Sequence, residues 1–465
     1  MSAQELVERA LASSRTEGCI VLVSESRSAN LRWAGNTLTT NGVMRSHDVT
    51  VVATAAVEGG TAAGVVTRSG VTVDLVEDLV RAAEASSRDA GPAEDAQPFI
   101  EGVPASPDWQ DLPAETSASV FVDFAPALGE AFAKARSEDR ELFGFAEHEV
   151  STTYLGSSTG LRLRHVQPQG KFEMTGKSDN RTRSTWVGQA TRDFSDVDVA
   201  LLDEQVRQRL AWQARKVEVD AGRYTTVLPP TALADLMVYM YWSAGAKEAA
   251  EGRTVFSKPG GGTRIGERLS SQPVTLSSDP RATGLQCAPF VLAHASGPDS
   301  SVFDNGLPLG ATSWIRDGSL AALISSRHSA AIAGVPVTPG IDNLTFATAA
   351  PTSGAGAPSL EQMIASTGRG LLLTCLWYIR EVDPQTLLLT GLTRDGVYLV
   401  EDGEVVGAVN NFRFNESPVG LLGRLAEVGG TVPALPREWS GYFTRSAMPP
   451  GRFEDFNMSS VSQAS

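Results

Sequence analysis

The first residues to test for chemistry are Gly156-Ser157-Ser158-Thr159-Gly160, a G-x-S-x-G string of the kind that seats a hydrolase nucleophile. A nucleophile elbow needs a strand before the serine and a helix after it, so that the hydroxyl projects from a strained turn. Strand-like residues stand on both sides here, at Val150–Leu155 and Leu161–Val166. The segment is therefore expected to be a hairpin turn, with Ser158 replaceable within about 0.5 kcal/mol. A second near-match, His148-Glu149-Val150-Ser151-Thr152, begins like the zinc motif H-E-x-x-H. That motif works because two imidazoles one helical turn apart meet one ion while the glutamate activates water. Position 152 is threonine, and the segment reads as a strand, which points neighbours to opposite faces. No two of the five histidines (His47, His148, His165, His294, His328) lie within a turn of each other. No local histidine zinc site is expected, and a non-local one has no positive support.

Lys258-Pro-Gly-Gly-Gly-Thr-Arg-Ile-Gly266 is glycine-rich enough to suggest a phosphate loop, but it matches neither G-x-x-x-x-G-K-[ST] nor G-x-G-x-x-G. A mobile surface loop is the expectation, with backbone amides free to meet a ligand or partner. Glu141, Glu147, Glu149, Asp203 and Glu204 could supply a carboxylate pair, yet nothing in their spacing selects two of them. Of the three cysteines, Cys375 lies in the apolar Leu-Leu-Leu-Thr-Cys-Leu-Trp, where a thiolate is disfavoured. The residues nominate no catalytic, cofactor-binding or metal-ligating position.

Composition narrows the class. A chain of 465 residues exceeds the size at which one core usually stops growing, so two domains are expected, 1–228 and 229–465. The net charge of −15 opposes nucleic acid and anionic membranes as partners. Cys19, Cys287 and Cys375 have no CxxC spacing, which excludes a disulfide framework and suits a reducing compartment. The N-terminal residues carry early acids and no apolar h-region, and the longest apolar run, Leu371–Ile379, is far short of a membrane span. A soluble, cytoplasmic protein is expected.

The elements that would position any site alternate irregularly. Helical spacing over 4–14 is followed by strands at Cys19–Ser24, Ala29–Thr39, Val49–Ala56 and Thr61–Val66, then a helix over Val73–Ser87. This predicts an α+β fold whose N-terminal unit is helix, antiparallel sheet, helix. Residues 88–118 read as a long surface connection, and helices are expected over Phe124–Arg136, Asp203–Arg215 and Thr231–Gly245. Pro229-Pro230 marks the domain boundary. Ser359-Leu-Glu-Gln362 is a capping box whose helix should stop near Gly368, and Asp402-Gly403 a type I′ hairpin turn. Ser417-Pro418 opens a helix expected to run to Gly429-Gly430.

The C-terminal half resembles the TldD/PmbA peptidase family. The resemblance rests on Gly340-Ile-Asp-Asn343-Leu344-Thr345-Phe, the helix from Ser359, Thr367-Gly-Arg-Gly370-Leu-Leu-Leu-Thr374 and Gly396-Val-Tyr-Leu-Val-Glu-Asp-Gly403. It continues through Pro418-Val-Gly420-Leu-Leu-Gly to the tail Met458–Ala464. It implies a C-terminal domain built on a curved, mostly antiparallel sheet. TldD-like members carry H-E-x-x-x-H on a helix early in that domain, before a Val-Phe-Ser-like segment, and a late cysteine ligand. Here Val255-Phe256-Ser257 is present, but Leu236–Gly245 holds no His or Glu, and no cysteine follows Cys375. The chain is therefore similar to the PmbA (TldE) branch, which implies no metal or cofactor on this chain and zinc on a TldD-like paralogue. The implied role is a heterodimeric subunit that helps enclose unfolded or modified peptides cleaved by that partner. The alternative is a metal-free peptide-binding homodimer.

Overall fold

The computed structural model describes residues 2–348 and 356–462; Gln463 and Ala464 of the family-like tail lie outside the described residues. The chain opens on α1 (Ala3–Ser13), started by a capping box in which Ser2 and Glu5 bond each other's backbone N–H groups. A six-stranded sheet follows, in the order β3-β2-β1-β4-β5-β6 with every neighbour antiparallel. Its strands are β1 (Gly18–Trp33), β2 (Leu38–Val57), β3 (Gly60–Ser69), β4 (Arg140–Ser157), β5 (Arg162–Ser178) and β6 (Arg183–Thr191).

These strands are longer than sequence pattern suggests. The expected strands at 19–24 and 29–39 are largely one, continuous through the polar Ser24-Glu25-Ser26-Arg27-Ser28. That stretch lacks apolar alternation because its stability comes from neighbours on both sides: Ser24 faces Asp48 of β2 and Thr153 of β4, and its hydroxyl meets that of Thr153 at 3.2 Å. Cross-strand pairing replaces the hydrophobic signal.

Strand alternation divides the sheet into two faces. One is covered by α1 and α2 (Val73–Asp89), which pack on Val21, Val23, Val49 and Val51, and by α3 (Phe124–Ser137) and α4 (Val199–Trp212), which pack on Trp33, Phe172 and Met174. The α4 helix starts four residues before the expected Asp203, because Asp198 accepts the Leu201 N–H at 2.9 Å and caps it. On the other face, Ile20, Leu22 and Leu163 meet Phe290, Val302 and Phe303 from the C-terminal half. The stretch 88–118 is more than a surface connection. Phe99 and Ile100 pack into this second layer, and Trp109 is buried edge-on against Tyr154.

The C-terminal half holds a ten-stranded and a six-stranded sheet, both mostly antiparallel. Strand Gly222–Leu228 already belongs to the larger one, beside Gly451–Val461 and Arg369–Leu373. The apolar helix α5 (Pro230–Trp242) shares one core with strands of both sheets, its Leu233, Met237 and Tyr241 packed among Leu276, Phe346, Leu371 and Phe414. The capping box at Ser359 starts a helix over Leu360–Ala365, three residues shorter than expected. Asp402 and Gly403 take φ of 50° and 84°, the left-handed pair of a type I′ turn. The helix from Pro418 ends at Gly423 instead of continuing to Gly429. Leu425–Val428 is instead drawn into a strand against Gly451–Val461, a tertiary override of local helical pattern. No described helix is long and apolar enough to cross a membrane.

Candidate functional site

The residues singled out in the sequence are not brought together. Gly156–Gly160 is the β4–β5 turn, with Gly160 at φ 96°. Ser158 is not free: its backbone N–H donates to Cys19 O at 2.8 Å, and its hydroxyl accepts the Cys19 N–H at 3.1 Å, extending the β1–β4 ladder one residue past the end of β4. Ser158→Ala is therefore expected to cost about 1 kcal/mol, more than an ordinary turn substitution, because it orphans that N–H. Thermal denaturation would read it, and an unchanged midpoint would contradict this capping role.

His148 sits in β4 with both ring nitrogens committed, Nδ1 to the Thr116 hydroxyl at 2.6 Å and Nε2 to Arg192 O at 2.8 Å. Burial lowers its pKa, against the Arg192 carbonyl, which raises it. The acids disperse as well. Asp203 makes a buried ion pair with Arg140, Glu204 pairs with Arg207, and Glu141 with Arg181. Burial lifts the Glu147 carboxyl above its usual range, against the pull of Lys171. Cys19, Cys287 and Cys375 are all buried and unpaired, and burial raises each thiol. Lys258–Gly266 forms an exposed tight turn, with Lys258 N–H bonded to Gly262 O and Gly260, Gly261 and Gly262 at positive φ. Among the described residues, no group of three His, Cys, Asp or Glu side chains lies close enough to share a metal ion.

What the fold does assemble is a cleft of about 940 Å³ between the sheet of the first half and the large sheet of the second. One wall is the part of the helix-free face of β4 and β5 nearest the β5–β6 turn. Because Phe143 pairs with Thr175 and Glu141 with Lys177, the odd-numbered residues of both strands point there, away from α3 and α4. The β5–β6 turn adds Arg181. The opposite wall is Trp377, Tyr378, Arg394 and Lys216. The volume is that of a site for a sizeable ligand.

Two observations separate this cleft from an ordinary crevice. The lining holds Lys177, Arg181, Lys216 and Arg394 against the single acid Asp395, in a chain whose net charge is −15. Left-handed backbone also borders it: Asp179, Asn180 and Arg181 run at φ 53°, 53° and 67° in the β5–β6 turn, where Asp and Asn take it readily, and Asp395 at 58°, while Tyr378, a bulky residue, is held at 50°. Left-handed non-glycine residues cost about 1–3 kcal/mol each and gather where function over-determines geometry. At Tyr378 the strain accompanies a β-bulge between Trp377 and Arg380 that holds the phenol ring half exposed.

Behind Trp377 lies a buried polar cluster that the sequence did not signal. The Arg437 guanidinium stacks on the Trp377 indole and lies 5.7 Å from the Trp186 ring centroid. Asp235, on α5, accepts the Glu438 N–H at 2.8 Å through one carboxylate oxygen. Its other oxygen, the Arg437 Nε and the Trp377 Nε1 are all buried without a partner. Burial drives the Asp235 carboxyl well above its usual range, opposed by the Glu438 amide and the nearby Arg437 charge. The cleft thus offers cations, hydroxyls, amides and aromatic faces: chemistry for holding a ligand, with no histidine or cysteine among its lining residues.

Comparison with known proteins places this architecture. Residues 221–460 match the model of the PmbA/TldA metallopeptidase C-terminal domain, and residues 115–215 that of the central domain of the same family. No curated protein matches the chain. Among solved structures, the chain is similar to TldE from Thermococcus kodakarensis, with TM-score 0.77 and 17% identity over 98% of this chain and 99% of that one. It is also similar to a Thermotoga maritima protein described as a proposed modulator of a DNA gyrase, with TM-score 0.74 and 16% identity over 98% and 99%. A Bacteroides thetaiotaomicron protein of like description gives TM-score 0.73 and 14% identity over 99% and 98%. These identities speak for a shared fold along the whole chain.

Proposed function

Because the chain belongs to the PmbA/TldA metallopeptidase family, we propose that it is a metal-free subunit of a cytoplasmic peptidase complex, paired with a zinc-bearing TldD-like paralogue. In this reading the partner cleaves, and the present chain helps enclose and hold unfolded or modified peptides. The observation that carries it is α5. At the start of the C-terminal family domain, where TldD-like members have H-E-x-x-x-H, this helix reads Pro-Thr-Ala-Leu-Ala-Asp-Leu-Met-Val-Tyr-Met-Tyr-Trp and is packed into the apolar core.

Assembly is supported by the first half of β2. Strand β3 pairs only with Asp48–Val57, so residues 38–47 have β1 as their one neighbour among the described residues. Leu38, Val43 and Met44 are 50%, 52% and 61% exposed on that edge. A long unpaired edge with exposed apolar side chains is a liability unless a partner covers it.

Light scattering and peptide hydrolysis test the proposal on the protein alone and mixed with a TldD-like relative. The expected result is a stable heterodimer, chelator-sensitive cleavage only in the mixture, and no stoichiometric zinc on the isolated chain. A monomer that ignores the relative, or about one tightly held zinc per isolated chain, would overturn it.

A further inference from the structure

We propose that the cleft between the two halves is a carboxylate-binding subsite, so that the peptides this chain holds are recognised through acidic groups. The inference rests on the peptide-handling role above and names the ligand class of the same site.

The charge distribution is the first support. An acidic protein repels anions over most of its surface, so a pocket lined by four cations and one acid is a local reversal of sign that concentrates anionic ligands. The cations are also unequally available. Glu141 holds Arg181 by two hydrogen bonds, at 2.7 and 3.1 Å. Among the described residues Arg394 has only Asp395 as an ion-pair partner, at 3.9 Å, and it lies 5.8 Å from the Trp377 ring centroid. Lys177 sits 5.7 Å from the Phe143 centroid and faces Glu141 across the β4–β5 ladder, where its charge acts on that carboxylate, whereas Lys216 makes no ion pair among the described residues. Lys216 and Arg394 are therefore the cations left to meet an incoming carboxylate, with Lys177 shared with Glu141.

The flanking aromatics fit peptide better than a free anion. Phe143, Trp377 and Tyr378 give apolar faces for the aliphatic parts of residues beside the carboxylate, and the Ser184 and Thr175 hydroxyls give polar groups for backbone amides, while Gln213 is held by Ser184 and Tyr398. Cations among aromatic faces also suit single-stranded nucleic acid. The cleft is walled by a protein of net charge −15, however, and a polyphosphate would meet that repulsion along its whole length.

Calorimetry on the isolated 465-residue chain tests this without the partner, so a failed heterodimer leaves the result interpretable. The probes are three pentapeptides of one frame: Gly-Glu-Glu-Glu-Gly capped at both ends, Gly-Gln-Gln-Gln-Gly capped at both ends, and the Gln peptide with a free C-terminal carboxylate. The expected result is that the capped Glu peptide binds at least about tenfold more tightly than the capped Gln peptide, and more weakly as salt rises from 50 to 200 mM. The free-carboxylate arm assigns the source. Binding near that of the Glu peptide means the C-terminus serves, and binding like the capped Gln peptide means acidic side chains do. Lys216→Ala/Arg394→Gln should weaken the Glu peptide about 10- to 100-fold at an unchanged melting temperature, and Lys258→Ala, on the exposed turn elsewhere, should not. Equal binding of the two capped peptides would overturn the proposal. So would wild-type affinity in the folded double variant, or tighter binding of a short oligothymidylate than of the Glu peptide.

Discussion

Replacing Asp203 with alanine is expected to lower the unfolding free energy by about 3–5 kcal/mol, among the largest effects of any single substitution in the chain. Asp203 and Arg140 are 2% and 5% exposed, and they meet through two hydrogen bonds, at 2.7 and 3.2 Å. The pair ties α4 to the start of β4. Truncating the acid leaves a guanidinium buried with only Glu138, itself 35% exposed, for compensation. The cost is that of an uncompensated charge rather than the worth of the bridge. The double variant Asp203→Leu/Arg140→Met should therefore be much milder than either truncation alone. Urea denaturation of the three variants decides it. If Asp203→Ala lost under about 1 kcal/mol, the pair would be no more than an exposed ion pair in energy. That outcome would also reopen Asp203 as one of the acids available for chemistry.

The second large effect is expected at Gly64. This residue of β3 lies directly under α2, and a Cβ there would come within 3.0 Å of the Ala83 carbonyl oxygen and the Ser87 amide nitrogen. Both obstacles are backbone, so the helix must lift. Gly64→Ala should cost about 3 kcal/mol or more and loosen the packing of Val76, Leu79, Val80 and Ala83 on the sheet. Gly129, exposed on α3 with nothing within 4 Å of its would-be Cβ, is the matched control. Gly129→Ala should stabilise by about 0.5–1 kcal/mol, since alanine is the better helix former. Opposite signs for the same chemical change would show that contact with helix backbone, rather than glycine content, sets the cost. Equal effects at both sites would contradict the close approach.

Signals that act within a few residues were legible in the sequence. The capping box at Ser359, the left-handed Asp402-Gly403 turn and the turn at Gly156–Gly160 each depend on hydrogen bonds or φ values inside the segment itself, so residue type is enough. The α+β class followed from the same local patterns, and the family likeness from residues kept in order along the chain. Where a distant neighbour supplied the energy, the pattern misled. The helix from Pro418 stopped early because the strand Gly451–Val461 captured Leu425–Val428, and β1 ran through a polar stretch that two flanking strands satisfy.

The cleft belongs entirely to the tertiary structure. Lys177, Lys216, Trp377 and Arg394 come from separate stretches of the chain and meet only because strand register turns one sheet face toward the other sheet. No spacing rule links them. Two of the acids that looked available, Asp203 and Glu141, were bound by arginines far off in sequence, and Asp235 was hidden in an apolar helix whose pattern reads simply as core. Residue types set which local turns and caps the chain could make. Pairing of strands far apart in sequence decided which charges were neutralised, which were left facing a cavity, and so where a ligand can be held.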